Sequence, residues 1–275
     1  AQNNDGAALS LDTSATYTLV SLDSGIVVDS NATVAAGETY SPQIPLTFLA
    51  PGRMHLAVED RRGVPVPYRG DSVTIAVVRP RLILSPETPS VIGVGQQSFA
   101  GLRRTGSAAD DITVTIRHSG GRTASVPSLR MMPGMAWLTS PFAIEAIAGG
   151  PDTIFVSAPG YDGDSLSIQV SDGSVSLYNW PGQIRQGDSV GVSLAVRDSL
   201  GVIHPVVAAT TFAIVTEGGI AFTDGSRTIN TITVPAGSTA SPVFRAKAVG
   251  PPGSAKVRFV NLYYVEQAFQ VTVTP

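Results

Sequence analysis

The sequence has no cysteine, few charged residues and no long apolar run, and each absence removes a class of explanation. Without cysteine there is no disulfide to staple a small fold, no thiolate nucleophile and no Cys-ligated zinc, so stability has to come from packing. Charged residues make up only 14%, with 18 Lys and Arg against 21 Asp and Glu and a formal net charge of −3. That balance gives no basic footprint for nucleic acid or anionic lipid. It also lacks the charge that long solvated helices carry on their outer face. No apolar run approaches the roughly 18 residues of a membrane span, and Ala1-Gln2-Asn3-Asn4-Asp5 has neither the basic nor the apolar region of a signal peptide.

What is present is turn chemistry and alternation. The 275 residues include 28 Gly and 20 Pro, and 43% are hydrophobic, a mixture suited to short strands joined by many turns. The length exceeds a usual single domain of about 100 to 150 residues, so two or three domains are expected.

An internal repeat then organises the chain. Thr33-Val34-Ala35-Ala36-Gly37, with Thr39 and Ser41-Pro42, recurs as Thr233-Val234-Pro235-Ala236-Gly237, with Thr239 and Ser241-Pro242. A weaker copy, Met132-Pro133-Gly134 then Ser140-Pro141, lies between them. After each Ser-Pro comes an alternating run: Ile44, Leu46, Phe48; Phe142, Ile144, Ala146; Phe244, Ala246, Ala248. A Gly/Pro turn follows, and then a second run: Met54, Leu56, Val58; Ile154, Val156; Ala255, Val257, Phe259. Period two marks half-buried strands, and strand, turn, strand reads as a hairpin. The copies close on Val73, Ile75, Val77, on Leu166, Ile168, Val170 and on Phe269, Val271, Val273, all expected to face a core. The expectation is an all-β protein of three tandem immunoglobulin-like β-sandwich modules over residues 1–78, 79–172 and 173–275, with very little helix.

Val-Pro-Ala-Gly-x-Thr, an alternating strand, Gly, another strand and a closing Thr-Val-Thr-Pro resembles the bacterial immunoglobulin-like repeats of long surface proteins. Leu194-Ala195-Val196-Arg197-Asp198-Ser199-Leu200-Gly201 is similar to the strand and turn of invasin- and intimin-type modules. The resemblance covers the third repeat best, the first partly and the second loosely. It implies the fold and an extracellular, load-bearing or adhesive setting, and supplies no catalytic residues. Leu56-Ala57-Val58-Glu59-Asp60 with Gly63 fits the same strand and turn, but the repeat alignment places it near a module's end, and strand-Asp-turn-Gly is generic turn chemistry.

Several motifs invite chemistry. Gly163-Asp164-Ser165-Leu166 spells the signature of a lipase and esterase family, and Gly187-Asp188-Ser189-Val190-Gly191 fits the nucleophile elbow. Both need a strand-to-helix turn, and the esterase signature needs an Asp-x-x-His pair, whereas His55, His118 and His204 have Gly, Thr and Gly three residues before them. Turn residues leading into strands explain both. The histidines are scattered without metal-ligand spacing, and Asp110-Asp111, Asp162 with Asp164, and Asp224 follow no calcium-loop spacing. Arg69-Gly70-Asp71 matches the integrin-recognition tripeptide, but its counterpart Asp162-Gly163-Asp164 points to a Gly-Asp turn that tolerates any first residue. Trp137, Tyr178, Trp180, Tyr263 and Tyr264 are the candidate sugar-stacking aromatics, with core or module contacts as the alternative. Asn31-Ala32-Thr33 is an isolated sequon.

No catalytic, cofactor or metal residue is therefore assigned. The expected function is a non-enzymatic, secreted or cell-surface structural or adhesive protein whose partners are other proteins, including copies of itself. The alternative is a glycan-binding accessory region of a larger secreted enzyme. One further expectation comes from length. Before the shared turn, the third copy has about sixty residues (Ser174 to Val234) and the second about fifty (Arg81 to Met132), but the first only Ala1 to Val34. Tyr17-Thr18-Leu19-Val20-Ser21 aligns with Phe212-Ala213-Ile214-Val215-Thr216, so the opening two strands are missing, and Ala7-Ala8-Leu9-Ser10-Leu11 can supply at most one. The first module is then completed by a strand from a neighbouring copy, giving a filament or layer, or by an upstream segment, or it closes as a smaller sandwich.

Overall fold

The computed structural model describes residues 10–23, 26–28, 31–59, 71–86, 90–106 and 108–275, and among them there is no helix. The protein is all-β and sandwich-like. It separates into two compact units, residues 1–79 and 80–275. In the first unit, β1 (Ala15–Ser21), β2 (Ile26–Val28), β3 (Asn31–Val34), β4 (Leu46–Phe48), β5 (Gly52–Glu59) and β6 (Asp71–Val77) form a sheet ordered β3-β1-β5-β6 and a separate pair β2-β4.

The second unit holds two complete sandwiches in succession. One uses β7 (Leu82–Pro86), β8 (Val91–Gly93), β9 (Gln97–Arg104), β10 (Ile112–His118), β11 (Thr123–Ala124), β12 (Ser128–Met131), β13 (Phe142–Ala146), β14 (Gly150–Ser157) and β15 (Asp164–Ser171). The other uses β16 (Ser174–Tyr178), β17 (Gln183–Arg185), β18 (Ser189–Arg197), β19 (Thr210–Glu217), β20 (Ile220–Thr223), β21 (Thr231–Val234), β22 (Phe244–Ala248), β23 (Gly253–Asn261) and β24 (Tyr264–Thr274). Their sheets correspond strand for strand: β12-β10-β14-β15-β8 with β21-β19-β23-β24-β17, and β11-β13-β9-β7 with β20-β22-β18-β16. In both, a short strand runs parallel to the closing strand (β8 on β15, β17 on β24).

Alternation fills each core from both sheets. Leu84, Leu102 and Ile144 meet Val114, Ile154 and Val170 in one sandwich. Val192, Leu194 and Phe244 meet Phe212, Phe259 and Val273 in the other. There Phe222 packs against Phe244 and Phe259 with ring centroids 5.4 and 6.1 Å apart, and burying each ring contributes about 1.5–3 kcal/mol. The first unit is thinner: Leu11, Ala15 and Val34 make its core cluster, with Tyr17 against them.

Two expectations need correction. The paired runs after each Ser-Pro are not hairpins: β13 pairs with β9 and β11, whereas β14 pairs with β10 and β15 in the opposite sheet. Alternation reports which face of a strand is buried, not which strand lies beside it, and two strands facing each other across a core show the same pattern as a hairpin. The glycines at the start of the second strand, Gly52, Gly150 and Gly253, have φ of 147°, 126° and 154°, a backbone that side-chain-bearing residues rarely adopt. The hairpins are the next pair, β14–β15 and β23–β24. The closing-strand phase is right, with Ile168, Val170, Val271 and Val273 buried and Leu166 and Phe269 partly so. The second correction is in the first unit: among the described residues Val73, expected to face a core, is 52% exposed, and Ile75 and Val77 are only half-buried.

Candidate interaction surfaces

The Gly163-Asp164-Ser165 triplet turns out to be a joint. Asp164 accepts the backbone N–H of Ser165 at 2.8 Å and that of Leu84 at 2.9 Å, tying β15 to the opposite sheet. A Cβ on Gly163 would lie 2.5 Å from the Val156 carbonyl oxygen, so only glycine fits this turn. Ser165 is exposed on a strand, and Ser189 Oγ accepts a hydrogen bond from Arg245 at 3.2 Å. Asp71 accepts the N–H of Ser72, while Tyr68, Arg69 and Gly70 lie outside the described residues, as do Ala7, Leu9, Asp60 and Gly63.

The histidines are kept apart. His118 bonds Thr123 through Nδ1 (2.8 Å) and Ser125 through Nε2 (2.9 Å), and burial pushes its pKa down against the pull of Asp152. His55 pairs with Asp23 at 3.1 Å on the surface of the first unit. His204 is buried with Asp198, Nε2 to Oδ2 3.2 Å. The other Asp198 oxygen accepts the N–H groups of Leu200 and Val202, closing the turn at Gly201 (φ 82°), so the Asp of the Val-x-Asp-x-x-Gly stretch is a turn former. Three of the candidate calcium carboxylates, Asp111, Asp164 and Asp224, have protein partners. Asp111 takes the Arg130 guanidinium, and Asp224 accepts Ser226 and Arg227 N–H groups, which hold both carboxyls below the usual range. Among the described residues no three His, Asp or Glu side chains converge as a metal site.

Two buried polar side chains that the sequence did not flag organise the loops of residues 80–171. Burial would raise the Asp152 carboxyl, but hydrogen bonds from Gly120, Arg122, Thr123 and Thr153 N–H groups and the Thr123 hydroxyl outweigh it and hold it well below the carboxylate range. Arg104, 3% exposed, donates to the carbonyls of Ala108, Asp110, Met132 and Met135 and so joins two loops. Of the aromatics, Trp180 packs on Phe222 and Phe269 and donates to the Gln270 carbonyl, and Tyr264 packs edge-on to Phe212. Trp137 is 60% exposed, with the Arg103 guanidinium 5.3 Å from its ring centre. Tyr178 and Tyr263 are exposed too.

The two sandwiches of the second unit are locked at a polar joint. Gln96, fully buried, accepts the Gly93 N–H at 3.1 Å and donates to the Arg197 carbonyl (3.1 Å) and the Tyr264 hydroxyl (3.4 Å). Backbone bonds Gln97 N–H to Pro205 and Val207 N–H to Gly95, both 2.9 Å, run alongside. Gly173, between β15 and β16, bonds the backbone of Tyr263 and Val265 and leaves no room for a Cβ beside the Tyr264 ring. Next to the joint lies an open groove of about 400 Å³ lined by Val94, Glu145, Ala146, Val207, Thr211 and Tyr263, with no acid–base pair in it.

In the first unit, among the described residues, no strand covers the outer edge of β4 or of β6. The corresponding β22 and β13 lie against β18 and β9, and the corresponding β24 and β15 against β17 and β8. The registers make the correspondence firm. Thr16 sits opposite Thr33 as Thr211 sits opposite Thr233, Leu19 opposite Val58 as Ile214 opposite Phe259, and Gly52 opposite Val77 as Gly253 opposite Val273.

No family model matches the chain, and no curated protein is similar to it in sequence. Among solved structures, the native Escherichia coli α2-macroglobulin is similar over 97% of this chain and 22% of its own, at 11% identity and TM-score 0.29. The Yersinia pseudotuberculosis adhesin InvE is similar over 71% of this chain and 59% of its own, at 11% identity and TM-score 0.33. A glycosyl hydrolase family 2 member from Bacteroides cellulosilyticus is similar over 70% and 28%, at 12% identity and TM-score 0.31.

Proposed function

We propose that the chain is a non-enzymatic structural or adhesive part of a secreted or cell-surface protein, built of three immunoglobulin-like modules over residues 1–78, 79–172 and 173–275, that works by contact with other chains. The observation that carries this reading is where the reactive groups go. Asp152, Asp164, Asp198 and His204 each hold a turn or a tie between sheets, and Ser165 and Ser189 have no histidine bonded to them. A nucleophilic serine needs a base within hydrogen-bond reach and oxyanion donors beside it. Fluorophosphonate labelling and ester turnover should both be negative, and Ser165→Ala should leave stability and contact behaviour unchanged. Turnover lost in Ser165→Ala would overturn the reading. On the positive side, beads coated with the folded chain should attach to a protein-coated surface or to one another, and inert beads would count against an adhesive role.

One observation favours the glycan-binding alternative: Trp137 is exposed and its ring is backed by Arg103, an aromatic platform ordered in advance. A glycan array separates the two, since binding lost in Trp137→Ala supports an accessory carbohydrate module.

A further inference from the structure

The two complete sandwiches share one joint that carries different side chains in each. In the β7–β15 sandwich the Arg104 N–H bonds the Ala136 carbonyl and the Leu138 N–H bonds the Leu102 carbonyl. In the β16–β24 sandwich the Val196 N–H bonds the Thr239 carbonyl and the Ser241 N–H bonds the Leu194 carbonyl, the same pattern at matching places. The residues bridged between these bonds are Arg103 with Trp137 in the first case and Ala195 with Ala240 in the second. A methyl group on each side is therefore enough for the fold. The β7–β15 sandwich places a guanidinium and an indole there instead, 5.3 Å apart, with Trp137 60% exposed. Packing does not account for that pair.

The surroundings extend it. Leu82, Leu84, Leu102 and Arg104 point into the sandwich, so alternation puts Arg81, Ile83 and Arg103 on the outer face of the sheet. The register sets Ile83 opposite Arg103, and Trp137, Arg103 and Ile83 form a row across three adjacent backbones with Arg81 diagonal to Arg103. Gly101 and Ser85, opposite each other in the next row, keep the surface beside Arg103 low. Among the described residues neither the Arg81 nor the Arg103 guanidinium has a hydrogen-bonded acceptor or an ion-paired carboxylate. Arg197 of the other sandwich, by contrast, donates to the Ser176 hydroxyl and the Gly201 carbonyl. Glu145 lies at the far end of the same face, opposite Gln97, and Asp162 sits beside Arg81 without an ion pair to it. The outer edge of β7 is closed, because the Leu82 N–H goes to the Asp162 carbonyl and the Leu84 N–H to the Asp164 carboxylate, both at 2.9 Å. A partner cannot add a strand there and has to use the side chains.

We propose that Trp137, Arg103 and Arg81 bind an acidic polysaccharide, with one hexuronate ring against the exposed indole, its carboxylate on Arg103 and the carboxylate of a following sugar on Arg81. The indole offers a flat apolar face to the C–H side of a sugar ring. A guanidinium matches a carboxylate with two parallel N–H donors and gives up its water more readily than an ammonium does. The row is a sheet face, which suits the flat side of a ring; the anchoring side chain of a protein partner needs a pocket. This rests on the glycan-binding reading of the same surface and adds to it the class of sugar and the residues that select the charge.

The test is isothermal titration calorimetry of the full chain at low salt with hexagalacturonate and with the neutral galactohexaose. The acidic oligomer should bind about tenfold or more tightly than the neutral one. Trp137→Ala and Arg103→Ala each install the side chain that the other sandwich already has at that place, so both variants fold, which unchanged thermal melting checks. Each should weaken hexagalacturonate about tenfold or more, Arg103→Lys should recover part of the loss, and Lys247→Gln on the outer face of β22 should change nothing. No binding of hexagalacturonate, equal affinity for the neutral oligomer, or affinity untouched by both alanine variants would each overturn the proposal. Equally tight binding of polyglutamate, lost in the same variants, would overturn it in favour of an acidic polypeptide. A glycan array separates this from failure of the underlying reading: a neutral glycan lost in Trp137→Ala leaves glycan binding standing and removes the uronate, whereas an array with no binder removes both.

Discussion

Replacing Gln96 with alanine should uncouple the two sandwiches of the second unit. The side chain accepts one N–H, from Gly93, and donates to the Arg197 carbonyl and the Tyr264 hydroxyl, all at a fully buried position. Its removal strands a donor, an acceptor and a hydroxyl, each costing about 1–3 kcal/mol when buried without a partner. The 3.4 Å contact to Tyr264 is the weakest, and neighbouring losses do not simply add, so about 3 kcal/mol in total is expected. The burial that raises the Tyr264 pKa, opposed by the bond from Gln96, marks the same hydroxyl as dependent on this partner. In differential scanning calorimetry of the full chain, residues 80–275 should melt as one transition in the wild type and as two in Gln96→Ala. Gln96→Leu, which keeps the volume but none of the bonds, should behave like the alanine variant if hydrogen bonding makes the lock. A Gln96→Ala endotherm superimposable on the wild type would refute the reasoning and leave the joint to the flanking backbone bonds.

Asp152→Ala should destabilise the β7–β15 sandwich by about 3–5 kcal/mol in urea unfolding, because it strands several N–H groups at once. Since the folded carboxyl lies below its ordinary value of 3.8, the unfolded chain takes up the proton first. The contribution of Asp152 is therefore complete above about pH 5 and is lost as the pH falls through 4 towards the folded value; Asp152→Asn should flatten that acid limb. Arg104→Met should cost about 2–4 kcal/mol by the same assay and loosen residues 108–111 and 132–135 together, since one guanidinium holds both loops. Loosening of only one loop would show that they are held separately.

What the sequence made legible follows from what periodicity encodes. The Thr-Val-x-Ala-Gly copies fall at the ends of β3 and β21, and the alignment of Tyr17 with Phe212 gives the observed register, down to the Thr16–Thr33 and Thr211–Thr233 hydroxyl pairs at 3.0 and 2.8 Å. The alignment also placed Leu56-Ala57-Val58 correctly in β5, the counterpart of β23, rather than of β18, where Leu194-Ala195-Val196 lies. Pairing was not legible, because facing strands and neighbouring strands alternate alike, and so the runs around the Gly150 and Gly253 corners carry the same pattern as a hairpin. Buried polar residues were the other blind spot. Gln96, Arg104 and Asp152 bond mostly to backbone groups of loops distant in sequence, and no spacing of residue types encodes that geometry. Asp198 alone carried a signal, through its Val-x-Asp-x-x-Gly turn, though nothing in it foretold His204.

The most direct measurement is hydrogen–deuterium exchange on the intact chain at neutral pH, residue by residue and without added partner. If the polar groups hold two complete sandwiches, while no described strand covers the outer edges of β4 and β6, Phe244–Ala248, Val271–Thr274 and Ile154–Val156 should exchange slowly, whereas the N–H groups of Leu46–Phe48 that face away from β2 and those of Asp71–Val77 that face away from β5 should exchange at least a hundredfold faster. Protection of Leu46–Phe48 and Asp71–Val77 equal to that of Phe244–Ala248 and Val271–Thr274 would contradict it.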